Sequence, residues 1–412
     1  MARLTRGEFL RLSAGVSAGV LLRRLDVLAQ QDSGSSRAAA VIQEYDSQGF
    51  HRTATDVDRH SGQWLADHAK RAGGDATLES FDVSRVEVRG AFVEAENRRA
   101  EGLPFFDGGL TDAAGITGRL GPPEAKLPFA LVVIDSAGIS SEGRSIQALR
   151  KSTVHRGIVA VTQGGHEGLS TSNAVDFHTP YGLPVLQIST EDHLWLRDLT
   201  SRGLPIRFVC DAVRSPSQAS NVIARVRGRQ ADLPPVVLMT PRSGWFHCAS
   251  ERGGGIACWL EAIRAVAAAK PARSLVAIAS SGHELGHFGL DAFLAKQPQL
   301  IKGAAAWIHL GANIGAAGGA ARLQASDDGI MAMADEALAK SGAQIASRVP
   351  RGTRPGGEAR NIHDGGGRYI SLLGSGPFFH NVEDRWPAAV DLVAVNRFSE
   401  AFASLAVRLT NP

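Results

Sequence analysis

Residues 281–290, SGHELGHFGL, decide how the chain is read, because they contain the pattern H-E-x-x-H at His283, Glu284 and His287. On a helix that spacing puts both imidazoles on one face, where they can share a zinc ion. Here the pattern follows the apolar run LVAIA (275–279) and the triplet Ser280-Ser281-Gly282, and it contains Gly286. A buried strand running straight into a glycine-bearing loop is predicted, not a helix. No convincing third ligand follows on a nearby downstream helix. The stretch reads as the polar end of a strand.

Working outward, strands and helices alternate. NVIARVRG (221–228) and PPVVLMT (234–240) read as strands, GGIACWLEAIRAVAAAK (254–270) as a helix, and SLVAIASSG (274–282) as a strand. LDAFLAKQP (290–298) is a helix, GAAAWIHLGA (303–312) a strand, and DDGIMAMADEALAKSG (327–342) a helix. GRYISLLGSG (367–376) is a strand and residues 387–409 a closing helix. Such alternation predicts an α/β fold with a mostly parallel sheet covered on both faces. Functional residues then gather at the carboxyl ends of the strands. Upstream, 38–84 reads helix, helix, strand. Residues 85–214 read as a self-contained inserted unit: FALVVIDSAG (129–138) is a strand, 143–157 a helix, IVAVT and LPVLQIS strands, 190–203 a helix and PIRFVCDA a last strand. RSPSQAS (214–220) reads as a linker.

The chain has 412 residues, 44% hydrophobic and 21% charged, with a formal net charge of +3. That suits a globular protein of two units and gives no footprint for nucleic acid. Cys210, Cys248 and Cys258 are too few and irregular for a disulfide framework and read as small buried hydrophobes. Residues 1–30 read as an export signal: Arg3, Arg6 and Arg11 precede a short apolar run, and Val27-Leu28-Ala29 suits cleavage. TRGEFLRL is similar to the twin-arginine motif with Gly7 at the second arginine, so either that route or the general secretory route leads to a periplasmic or secreted protein. No other segment reads as transmembrane.

The strand ends carry the chemistry. After 236–239 come Thr240, Arg242, His247, Glu251 and Arg252; after 275–279 come His283, Glu284 and His287; His309 ends another strand. Glu358, Arg360, His363 and Asp364, then His380, Glu383 and Asp384, flank the last. Imidazole with carboxylate is the ligand set for zinc or a similar divalent ion. Arg242, Arg252 and Arg360, with His247, fall on these loops. They could bind a substrate anion, or the arginines could pair with Glu251, Glu358 and Asp384.

In order along the chain, SNVIARVRG, RSLVAIASSGHELGHFGLDAF and FFHNVEDRW resemble motifs of the M28 family of co-catalytic zinc aminopeptidases. GIVAVT and GLPVLQIS resemble the protease-associated (PA) domain often inserted in them. The resemblance implies a zinc-exopeptidase-like three-layer sandwich with a mostly parallel, mixed sheet, formed by 38–84 and 217–412, plus a β-rich PA-like domain at 85–214 lying over the strand ends. Carried residue by residue, the family's first histidine ligand falls on the stretch Thr240-Pro241-Arg242-Ser243 and is lost. The bridging aspartate falls on Glu251, the general-base glutamate on His283, the ligand glutamate on Glu284, the next ligand on His309 and the last on His380. The H-E-x-x-H is then a coincidence. The resemblance implies one divalent ion, zinc, held by Glu251, His309 and His380 with Glu284 nearby, and His283 or Glu284 as proton acceptor. The substrate would be a small peptide or amide. A catalytically degenerate relative that binds a ligand or partner is the alternative.

Overall fold

Residues 236–241, 275–280 and 306–310 are buried along their whole length, as strands must be when helices cover both faces of a sheet. The computed structural model describes residues 34–136 and 144–412. The export segment lies outside them, as does the junction at 137–143. Two helices, α1 (Gly34–Ser47) and α2 (Asp56–Arg71), lead into the long strand β1 (Asp75–Ala95). The inserted unit follows as β2 (Arg98–Pro104), β3 (Ile116–Gly121), β4 (Phe129–Asp135), α3 (Arg144–Arg150), β5 (Gly157–Gln163), β6 (Val185–Ile188) and α4 (His193–Arg202). A second long strand, β7 (Pro205–Val226), returns to the main body. There the order is β8 (Val236–Pro241), α5 (Gly254–Ala269), β9 (Leu275–Ser280), α6 (Phe288–Lys296), α7 (Leu300–Gly303), β10 (Ala306–Leu310) and β11 (Ala320–Ala325). α8 (Asp328–Ser341), β12 (Ser347–Arg348), α9 (Ala359–Asp364), β13 (Tyr369–Ser375) and α10 (Leu392–Thr410) complete it.

The main sheet runs β7-β9-β8-β10-β13-β11-β12. Strands β9, β8, β10 and β13 are parallel, and β7 and β11 flank them antiparallel. Alternation along each strand sorts side chains to two faces. Val236 and Leu238 pack with α5 and α10; Val237 and Met239 pack with Phe293 of α6 and Ile362 of α9. This is the expected three-layer α/β sandwich with a mixed, mostly parallel sheet.

The inserted unit is joined by one long ladder, β1 against β7, antiparallel from Asp75↔Arg225 to Glu94↔Arg207 with a register shift between Val88 and Gly90. Beyond it, pairings run β1–β2–β6–β5–β4–β3–β7, and the β7–β1 ladder closes the ring into a barrel. The predicted linker at 214–220 is therefore corrected. It lies inside β7 opposite residues 80–86 of β1, whose backbone supplies the partners that its polar composition hid. The three cysteines are free and buried.

The loop after β9 is fixed from below. Gly289 donates to Ser281 O at 2.9 Å, and Asn221 bridges Ser281 N and Gly289 O at 3.2 and 2.8 Å. A Cβ on Gly289 would run into Ser281 O and Asn221 Oδ1. Gly289→Ala is expected to lower the unfolding free energy by about 1–3 kcal/mol in urea titration, as overpacking does.

Candidate active site

Strand β9 ends at Ser280, and the chain wraps into a turn in which Gly282, Gly286 and His287 have φ of 83°, 99° and 71°. The backbone is left-handed at three positions there, so the H-E-x-x-H residues are not helical. The two histidines meet nonetheless: their rings stack with centroids 5.1 Å apart and planes at 28°. Glu358, just before α9, reaches them. Its Oε1 lies 2.8 Å from His283 Nδ1 and its Oε2 3.4 Å from His309 Nε2. One ligand-type atom from each of His283, His287 and Glu358 lies within 4.8 Å of the others, and all three residues are buried. The two histidines and Glu358 thus form a group that could hold a metal ion. The helix was rightly excluded, but a turn brings the rings together.

Outer contacts set the donors. His287 Nδ1 faces Asn361 Oδ1 at 2.9 Å, and Asn361 Nδ2 donates to Asp291 at 2.6 Å. This chain leaves the proton on His287 Nδ1 and the lone pair on Nε2. Burial pushes the His283 pKa down to about 4, against the pull of Glu358 and with help from Arg252. Burial favours protonation of Glu358, but His283 and His309 outweigh it and hold the carboxyl well below its usual range. At neutral pH His283 is a neutral imidazole beside the Glu358 carboxylate, the state that binds metal.

The second half of the chamber comes from Ala249–Gly253, a wide π-helical turn ahead of α5. Asp384 accepts the N–H groups of Ser250 and Glu251 at 2.8 and 2.9 Å, and burial pushes its pKa up to about 7. The turn points Glu251 and Arg252 inward together, both fully buried. Arg252 Nη2 lies 2.7 Å from Glu251 Oε1, and His380 Nε2 lies 3.4 Å from the same oxygen. Burial acts to raise the Glu251 pKa, but Arg252 and His380 bring it down to about 2. His380 Nδ1 donates to Thr171 O at 2.9 Å, so its Nε2 keeps the lone pair when the ring is neutral.

Five buried atoms here lack an aligned hydrogen bond: His283 Nδ1, His380 Nε2, Glu251 Oε1, and Arg252 Nη1 and Nη2. Buried polar atoms are rarely left so. His283 Nδ1, His380 Nε2, Glu251 Oε1 and Arg252 Nη2 lie at 2.7–3.4 Å from charged partners, a polar cluster enclosed at the strand ends.

Other expected site residues are placed differently. His309 spends both ring nitrogens, on Ser371 Oγ at 2.8 Å and Glu358, so it braces Glu358 rather than joining Glu251 and His380. Glu284 accepts Thr53 N, Thr53 Oγ1 and Ser243 Oγ at 2.9, 2.6 and 2.6 Å, which engages both its carboxylate oxygens. Burial raises its pKa against those bonds. Arg242 is buried against Asp58 at 2.9 Å and donates to Asp58 O, so it is not open to substrate. His247 contacts Asp46 O at 2.7 Å, and Arg360 sits on α9 near Asp291 and Asp364. Thr53, Asp58 and Asn361 carried no sequence signal; Glu358 and His287 did, but were not joined.

The inserted barrel covers the chamber. Ala174 N donates to Glu284 O at 2.8 Å, Trp245 Nε1 to Asn173 Oδ1 at 3.1 Å, and Thr171 N to His380 O at 3.1 Å. His178 stacks on Phe288 with centroids 3.8 Å apart.

No family model and no curated protein matches the chain in sequence. Solved structures match in fold. A zinc aminopeptidase from Bacillus subtilis is 15% identical, with a TM-score of 0.75 over 92% of this chain and 95% of its own. A peptidase M28 precursor from Shewanella amazonensis SB2B is 15% identical, with a TM-score of 0.75 over 95% and 96%. An aminopeptidase from Aneurinibacillus sp. strain AM-1 is 13% identical, with a TM-score of 0.66 over 92% and 94%. The chain has the fold of the M28 zinc aminopeptidases along nearly its whole length.

Two outcomes follow. Arg242→Met leaves Asp58 buried and unpaired and is expected to cost about 3–5 kcal/mol in chemical unfolding, much of it recovered with Asp58→Asn. His51, fully buried with a pKa lowered to about 3, and His283, at about 4, both sit below their unfolded value. The contribution of these two histidines to the stability of the metal-free protein should be full above pH 6.5 and fall as pH drops towards 4, by up to about 1.4 kcal/mol per unit for each, against an opposite contribution from Asp384 that is the same in wild type and variant. Urea midpoints across that range, flattened in His51→Gln, would show it.

Proposed function

We propose that the protein is a hydrolase of amide or peptide-like bonds that uses one divalent ion, zinc in the simplest case, at His283, His287 and Glu358. The observation that carries this is the buried convergence of those three groups at the strand ends of an aminopeptidase fold. Their donor set, two imidazoles and one carboxylate, suits zinc. The Glu251, His309 and His380 set is the poorer holder. His309 is engaged elsewhere, and Arg252 stands 2.7 Å from Glu251. A dication about 4 Å from a guanidinium is repelled by about 8 kcal/mol at an effective dielectric of 20.

When bound, the ion supplies Lewis-acid polarisation of a carbonyl and acidifies water. The chain's own residues do the rest. His380 is placed to accept a proton at Nε2, with Nδ1 held by Thr171, and Glu251 beside it stabilises the imidazolium. Arg252 keeps Glu251 ionised. The inserted barrel, which resembles a PA domain in sequence, limits access to small peptides or amides. The N-terminal segment supports action outside the cytoplasm; no helix among the described residues is long and apolar enough to cross a membrane.

Elemental analysis of untagged protein tests this. One ion per chain is expected, lost in His283→Ala with His287→Ala, with chelator-sensitive amide hydrolysis. Asn361→Ala should weaken metal affinity about 10–100-fold by freeing the His287 ring. A chain that takes up no zinc, manganese or cobalt would leave a ligand-binding protein on this fold.

A further inference from the structure

We infer that Arg252 is a resident cation masking a latent second metal site formed by Glu251 and His380. This deepens the one-metal reading above and rests on it only for the count in the wild type.

Three observations carry it. First, Glu251 Oε1 and His380 Nε2 face each other at 3.4 Å, both fully buried and neither with an aligned hydrogen bond. The bond from His380 Nδ1 to Thr171 O leaves Nε2 as an acceptor in the neutral ring. Two acceptors held together in the dark of the protein call for a cation between or beside them. Second, that cation is present as a side chain: the Arg252 guanidinium, 2.7 Å from the same Glu251 oxygen. Third, Arg252 is placed to stay. Its Nε donates to Ser243 O at 2.7 Å and the whole side chain is buried. Arginine cannot discharge itself by losing a proton, so the charge is permanent.

The geometry differs on the other side of the chamber. The described charges facing the His283, His287 and Glu358 group are Glu358 itself and, further off, Arg252, Glu251 and Asp291. Among the described residues, no guanidinium lies at salt-bridge distance from Glu358. One half can therefore take a divalent ion while the other already holds its positive charge. Glu251 and His380 keep the shape of a metal site without the vacancy.

The test is a count of bound zinc by equilibrium dialysis and elemental analysis, on the full chain, for wild type, Arg252→Ala, Arg252→Lys, Arg252→Ala with Glu251→Gln, and His380→Ala. Removing the guanidinium is expected to add one ion per chain to the wild-type number. Lys should not add it, and Glu251→Gln should remove it again. His380→Ala alone should leave the wild-type count unchanged, a result that does not depend on the Arg252 variants folding. An unchanged count in a folded Arg252→Ala, shown by its circular dichroism and unfolding curve, would overturn the inference. So would loss of wild-type metal in His380→Ala. If the wild type binds no zinc and Arg252→Ala binds one, the one-metal function fails while the masked site stands. Two ions in the wild type would overturn the masking.

Discussion

The contact between Arg252 and Glu251 constrains everything else in the chamber. An ion pair removed from water does not stabilise a protein by itself, because desolvation offsets the attraction unless every remaining donor and acceptor is met. Here the backbone meets Arg252 Nε and the turn around the pair, while both Nη atoms and Glu251 Oε1 have, among the described residues, only each other and His380. Ser243 O takes Arg252 Nε, Asp384 caps the turn, and Asn313 N donates to Glu251 O at 3.0 Å. With that charge fixed, Glu251 stays ionised, and the same guanidinium helps keep the nearby His283 neutral. One buried cation thus holds Glu251 ionised and adds to the burial that keeps His283 neutral.

A second pair, Arg242 with Asp58, lies on the other side of Ser243. Ser243 links the two. Its carbonyl accepts from Arg252, and its hydroxyl donates to Glu284 while accepting from Gly282 N at 2.8 Å. The end of β8 is therefore a strip of matched charges, each neutralised within the fold. This explains why ligand-type residues at Glu284 and cations at Arg242 are absorbed into structure. Their partners come from α2 and the loop before it, far away in sequence.

The layers of the fold were legible because burial on both faces demands unbroken apolar runs, and such runs stand out at 236–239, 275–279 and 306–308. The order of helices between them fixed the rest. The linker at 214–220 was misread because a two-stranded ladder tolerates serine and glutamine wherever its edge is wet. The site was half legible. Residue types at strand ends announced a metal centre, but which imidazole meets which carboxylate depends on the left-handed turn at Gly282, Gly286 and His287. Dihedral signs of that kind leave little trace in spacing. His309 looked like a ligand because it stands at a strand end; only the neighbouring Ser371 and Glu358 reveal it as a brace.

The inserted barrel does more than cover the chamber. His380 has a left-handed backbone, with φ of 57°, which costs energy for a residue with a side chain. It is held there by a reciprocal pair of bonds to Thr171, N–H to carbonyl in one direction and ring to carbonyl in the other. Thr171 belongs to the barrel, and the barrel is joined to the main sheet by the long β1–β7 ladder. The tautomer of the proposed proton acceptor is thus set by a different folding unit from the one that supplies the ligand histidines. A rigid connection between the units is a chemical requirement of the site, and the long β1–β7 ladder satisfies it where a loose linker would not.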